Sequence, residues 1–269
     1  MRLAPKHFVY APDLAERFDL YFSPLVPTEV SGMLMVDFSR PGIPQTYAGS
    51  GLQFQMASFP EEEDAIESYF HWYTPRLGDT IFDVGAHCGV STYRFSKLVG
   101  PTGRVIAFEP DPVNYSLLLL NIERHKLNNV TPLQIAFSDA GGEAEFNCEE
   151  SIGSGLMQHS TRASIGKVVK VRTVTLEDAF LEWGPPVFCK IDIEGAELAV
   201  ISAAREFLKK SSCQFALDTH HLVEGSFTDG RVEALFREFG YESNSSTSGM
   251  KTTWARPSQA PSPGHPAVL

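Results

Sequence analysis

The stretch Thr80 to Gly89, T-I-F-D-V-G-A-H-C-G, constrains this chain more than any other. Ile81, Phe82 and Val84 form a short apolar run of the kind that makes a buried strand. Gly85 and Gly89 then carry the backbone through a tight turn where no side chain blocks an approaching ligand. Val90 to Leu98 predicts a helix, with Val90, Tyr93, Phe95 and Leu98 available for packing. Strand, glycine turn and helix together make a nucleotide-binding layout.

The type of ligand depends on Asp83. A dinucleotide loop reads G-x-G-x-x-G and gathers backbone N–H groups around a pyrophosphate. Here the pattern is D-x-G-x-x-x-G, and a carboxylate that close would repel a phosphate. S-adenosylmethionine has no phosphate and carries a sulfonium and an ammonium, so an acid in the loop suits it. The run Arg104 to Phe108 predicts a second strand ending at Glu109, about 20 residues past Gly89, where an acid accepts the ribose hydroxyls of an adenosine ligand.

At 269 residues the chain has room for one large α/β domain with additions. Net charge is −11, which argues against a nucleic-acid partner because phosphate-backbone readers need a positive footprint. Cys88, Cys148, Cys189 and Cys213 are widely spaced with no C-x-x-C pair, as expected of free thiols in a reducing compartment. The N-terminus lacks an apolar signal core, and no stretch approaches the ~20 apolar residues of a membrane helix. The expected location is the cytoplasm.

Residues 1–60 hold seven prolines among many aromatics and predict an extension packed on the main domain. Residues 61–256 are expected to form that domain, and the proline-rich 257–269 a disordered tail. Glu61 to Tyr73 reads as a helix, and Pro110 as a first-turn residue of the helix that follows Glu109. Val130 to Phe137 reads as a third strand leading to Ser138 and Asp139. An acid there either reaches an adenine amino group or simply begins the turn. Val187 to Ile193 is a fourth strand, and Lys190, Asp192 and Glu194 share its parity. Cys213 to Leu217 is a fifth, ending D-T-H-H. Arg231 to Phe239 is helical, and Lys251 to Arg256 reads as a last edge strand. The alternation predicts a doubly wound, mostly parallel sheet, with Asp83, Glu109, Asp139, Asp192 and His220 converging at strand carboxyl ends.

F-D-V-G-A-H-C-G, F-E-P-D, F-S-D-A, R-T-V-T-L-E-D and K-I-D-I-E-G-A-E, in this order, resemble the FkbM-type methyltransferases, a class I S-adenosylmethionine-dependent family with a Rossmann-like fold. The resemblance spans Asp79 to His221. The family loop most often reads G-A-N-x-G, and His87 stands in the asparagine's place. The resemblance implies cofactor contacts from Asp83, Gly85, Gly89, Glu109 and Asp139, with Asp192 and Glu194 facing the reacting group; His87 and Ser138, beside them in the chain, are further candidates for cofactor contact. It implies methylation of a hydroxyl on a natural product, sugar or lipid. N-methylation of a peptide natural product, or cofactor binding without turnover, are the alternatives.

For an alcohol acceptor, His220 is the natural base because a free imidazole titrates near pH ~6.5. His221, of opposite strand parity, is the less favoured histidine. A route through Mg²⁺ held by Asp192 and Asp218 is also less favoured than the metal-free one.

Overall fold

The computed structural model describes residues 50–57, 63–148, 154–158, 167–223, 225–246 and 251–258, with short strands at 8–9, 28–30, 33–35 and 45–46. The expected tail lies outside the described residues apart from its first two, as does most of the expected extension.

The main sheet has seven strands: β1 (Thr80–Val84), β2 (Arg104–Phe108), β3 (Val130–Leu133), β4 (Phe188–Ile191), β5 (Gln214–Asp218), β6 (Tyr241–Ser245) and β7 (Thr252–Pro257). Their spatial order is β3-β2-β1-β4-β5-β7-β6. The strands from β1 to β5 run parallel, and β7 is antiparallel to both of its neighbours. Strand order reverses between β1 and β4, so the crevice for a ligand opens at the carboxyl ends of that pair.

Period-2 alternation sorts the helices onto two faces. Phe82 and Val84 of β1 point to one side, into a core with Phe180, Val200, Ile201 and Phe236 from the helices Leu176–Trp183, Glu197–Ala203 and Asp229–Glu238. Ile81 points to the other side, packing with Tyr69, Phe95 and Val99 around the helix Val90–Val99. The sheet is therefore doubly wound, as expected. A smaller four-stranded sheet, built on the hairpin of Gly142–Cys148 and Lys167–Val174, is joined to the domain through Ala136–Phe137.

Four element readings are corrected. Val130 to Phe137 is two strands: β3 ends at Leu133, and Ala136–Phe137 crosses to the smaller sheet. Pro132 is tolerated because β3 is an edge. The edge at the far end is β6, while the 252–257 strand is an inner one. The helix expected over Glu61 to Tyr73 is the shorter Glu63–Ser68. After Glu109, it is Asp111 that caps the next helix, Pro112–His125, accepting the Val113 and Asn114 N–H groups, with Pro112 rather than Pro110 in the first turn.

The segment 50–57 packs on the main domain beside the glycine turn. Phe54, Met56 and Ala57 bury against Cys88, Val90 and Leu117. The Asn121 side chain donates to the Gln55 and Cys88 carbonyls and accepts the Gln55 N–H. One amide thus ties this segment to the turn it covers. All four cysteines are free and buried. Among the described residues no helix is long and apolar enough to cross a membrane.

Candidate cofactor and methyl-transfer site

The glycine turn is stitched to the end of β2. Gly85 and Ala86 both donate their N–H groups to the Phe108 carbonyl, and His87 donates its own to Glu109 Oε2 at 2.7 Å. Asp111 donates its N–H to Glu109 Oε1 at 2.9 Å. Each Glu109 oxygen keeps a further lone pair for a ligand hydroxyl. Burial, then the neighbouring Asp111 carboxylate, push the Glu109 carboxyl up to about 8. His87 lines the same cleft at φ +50°, and burial followed by the Lys190 ammonium lowers its imidazole to about 3. Its ring is therefore neutral near pH 7.

Gly85 has φ +80°, and a Cβ there would lie 1.7 Å from the Asp192 carbonyl oxygen. The β1 turn and the residue after β4 touch through backbone, so any side chain would force them apart. Lys190 secures the same junction. Its ammonium donates to the Gly85 carbonyl at 2.8 Å and lies 3.6 Å from Asp83 Oδ1 and 3.8 Å from Asp192 Oδ2. Asp83 is fully buried and accepts the Ser91 and Thr92 hydroxyls. The structure places Asp83 beneath the turn, where it orients the helix start, and outside the cleft lining.

A cleft opens between the turn after β1, the end of β2 and the residues after β4. One wall is apolar, from Ile135, Ala136, Phe137 and Leu156. Its lining includes three carboxylates, Glu109, Asp192 and Glu194, and no lysine or arginine among the described residues. Ser138 and Asp139 are not part of this lining; they bond to each other and to Gln158 Nε2 at the rim of the smaller sheet. The loop that starts at Ser154 does reach the cleft, and Ser154 donates to Asp111 Oδ2 at 2.7 Å.

The two histidines part company. His220 pairs through Nδ1 with Asp218, and its ring is 42% exposed. Burial works against the Asp218 charge, but the bond and charge of His220 outweigh it and hold the carboxyl low. His221 turns inward. Its Nδ1 is 3.2 Å from Glu197, and its Nε2 is 3.3 Å from Glu194 and 4.0 Å from Asp192. Burial opposes its charge, yet the Glu197 and Glu194 carboxylates prevail and push the imidazole up to about 12.

Asp192 and Asp218, the pair considered for Mg²⁺, belong to two separate donor clusters that share His221. Sequence reasoning passed over Glu197, because an acid in the first turn of a helix is commonplace. It gave His221 the lesser part because strand parity was extended past the end of β5.

A family model of the FkbM methyltransferase domain matches residues 83–243. The chain is 27% identical over 201 residues to 31-O-demethyl-FK506 methyltransferase FkbM of Streptomyces tacrolimicus, covering 64% of this chain and 75% of that one. Its fold resembles the crystal structure of methyltransferase FkbM from Methylobacillus flagellatus KT, with TM-score 0.51, 15% identity and 71% of this chain covered. The match spans about half, 47%, of that longer protein. It also resembles precorrin-6y C5,15-methyltransferase from Geobacter metallireducens GS-15, with TM-score 0.50 and 16% identity over 76% of this chain and 94% of that one.

Proposed function

The chain belongs to the FkbM methyltransferase domain family, an S-adenosylmethionine-dependent family, and we propose that it methylates a hydroxyl on a small molecule such as a natural product, sugar or lipid. The observation that carries the reading is the cleft itself: among the described residues its lining joins Glu109, Asp192 and Glu194 to the apolar Ile135, Phe137 and Leu156, with no lysine or arginine. That set fits a ligand with ribose hydroxyls, an aromatic base and positive charge, and disfavours a pyrophosphate. The name of the Streptomyces relative, a 31-O-demethyl-FK506 methyltransferase, supports a hydroxyl acceptor.

S-adenosylmethionine, when bound, supplies a methyl group on a sulfonium. Glu109 would accept the ribose hydroxyls, and the turn from Gly85 to Gly89 would follow the ligand with its backbone. The wall of Ile135, Phe137 and Leu156 would take the base and exclude water. Asp192 and Glu194 would orient the acceptor, since placement at near-attack distance supplies most of the catalysis for an already reactive donor. His220 would take the hydroxyl proton. Asp218 orients its ring and leaves Nε2 available, whereas His221 stays protonated among its carboxylates.

Two measurements test this. Calorimetric titration should show S-adenosylmethionine binding that falls about tenfold or more in Glu109→Ala, which loses two ribose hydrogen bonds worth roughly 0.5–1.5 kcal/mol each. Release of S-adenosylhomocysteine should then follow addition of a hydroxyl-bearing acceptor from a panel of macrolactones, sugars, lipids and amines. Unchanged affinity in Glu109→Ala would remove that residue from the site. Methylation confined to the amines would overturn the hydroxyl reading.

A further inference from the structure

We propose that Asp192, Glu197 and His221 bind a divalent metal ion of the kind that accepts imidazole and carboxylate together, such as Mn²⁺, beside the methyl-transfer cleft. Each residue offers one ligand atom, and the three atoms lie within 4.8 Å of one another. They come from three segments: the end of β4, the start of the helix Glu197–Ala203, and the turn after β5. The adjacent carboxyl ends of β4 and β5 bring them together.

His221 is the decisive residue. Its side chain is only 6% exposed, and neither ring nitrogen has a partner in hydrogen-bond geometry. The Glu197 and Glu194 oxygens are within 3.3 Å but lie off the bonding directions. A buried imidazole without hydrogen bonds is costly, and an ion in the cluster is a partner that removes the cost. Glu197 is held ready for the same task. It is fully buried, and its two oxygens accept the Ile193 and Gly195 N–H groups at 2.9 and 3.0 Å. Those bonds fix the carboxylate while leaving a lone pair on each oxygen.

Charge points the same way. Asp192, Glu194 and Glu197 surround one imidazole, and the nearby Lys190 is shared with the buried Asp83. The cluster is short of positive charge, and a divalent ion that displaces the His221 proton supplies it. One imidazole with two or three carboxylates suits Mn²⁺ or Fe²⁺ better than Mg²⁺, which prefers oxygen alone. The neighbouring group of Asp218, His220 and His221 is the weaker site. Asp218 Oδ1 there already accepts both the backbone N–H and the ring Nδ1 of His220.

Asp192 opens onto the cleft, so the ion would stand where an acceptor hydroxyl could complete its coordination and become more acidic. That role rests on the methyl-transfer reading, whereas metal binding does not.

The test is titration of the chelator-treated full chain with Mn²⁺, followed by electron paramagnetic resonance, with S-adenosylmethionine binding measured on the same samples. One Mn²⁺ per chain is expected, at a Kd below about 100 µM. Affinity should fall by about tenfold or more in Asp192→Asn and in His221→Gln, and stay within about twofold in His220→Gln. Should His221→Gln fail to fold, the partly exposed Asp192→Asn decides alone. No saturable binding in the wild type, equal affinity in Asp192→Asn, or loss in His220→Gln would each overturn the assignment. A protein that transfers methyl groups but takes no Mn²⁺ sinks this inference and leaves the function standing. One that takes Mn²⁺ and transfers nothing does the reverse.

Discussion

The ammonium of Lys190 sits 2.8 Å from the carbonyl oxygen of Gly85, so a buried cation on β4 closes the turn that follows β1. The same ammonium neutralises Asp83 below and faces Asp192 above. One side chain therefore sets the spacing between the cofactor turn and the residue expected to face the reacting group. Positioning within a site depends on such buried supports.

Lys190→Met should be strongly destabilising. It leaves Asp83, fully buried, with two hydroxyl donors and no counter-charge, and breaking a buried pair from one side costs about 3–5 kcal/mol. A fall in Tm on the order of 10 °C is expected. Adding Asp83→Asn to Lys190→Met should recover part of it, because the stranded charge is gone. A single variant that melts like the wild type would show that Lys190 carries no such load.

Glu109 makes stability depend on pH in an unusual direction. Its carboxyl titrates at about 8 in the folded protein against 4.5 for the free group, so the folded state holds a proton that the unfolded chain releases. Stability from this group is full below the lower value and is lost as pH rises toward the upper one. Glu109→Gln has no such proton to lose. Melting curves between pH 5 and 9 should show the wild type losing Tm relative to Glu109→Gln up to a pH of about 8, then running parallel. A constant gap across the range would place the folded-state value near that of an ordinary carboxylate.

Of the residues expected to bind the cofactor, Gly85, His87 and Glu109 line the cleft, and they were legible because they act through local spacing. Gly85, Gly89 and Glu109 sit at fixed distances from strand ends, and strand ends show in apolar runs. The rim of the smaller sheet was harder to place. Val130 to Phe137 looks continuous, and nothing local announces that Ala136 leaves for a second sheet. β6 reads Y-E-S-N-S, without the β-branched residues that mark a strand, because an edge needs only Tyr241 and Ser243 turned inward. The histidines were ranked by strand parity, yet β5 ends at Asp218. Beyond that point the backbone follows turn geometry, and alternation carries no information about where His220 and His221 face.

Gly85→Ala tests the contact between the two turns directly. A positive φ strains any L residue, and the added Cβ would overlap the Asp192 carbonyl at 1.7 Å with only backbone able to give way. The ends of β1 and β4 must separate, which also lengthens the Lys190 bond to Gly85. Both a Tm loss and a loss of S-adenosylmethionine binding of more than about tenfold are expected. An alanine variant that binds and melts normally would mean that the two turns are free to move apart.

Asp192→Asn separates binding from chemistry at one position. Asp192 lines the cleft, and its carboxylate lies 3.8 Å from the Lys190 ammonium and 4.0 Å from His221 Nε2. Orienting an acceptor, supporting a base or holding a metal all require the carboxylate during the reaction, and ribose recognition requires none of them. Asparagine keeps the size and nearly the shape, and the group is partly exposed, so packing should be spared. S-adenosylmethionine affinity should stay within about threefold, under ~0.7 kcal/mol. Turnover on the acceptor should fall by at least about a hundredfold, equivalent to ~2.7 kcal/mol of transition-state stabilisation. Normal turnover would make Asp192 a structural partner of Lys190 alone, and lost binding with normal turnover at saturation would move it into the cofactor site.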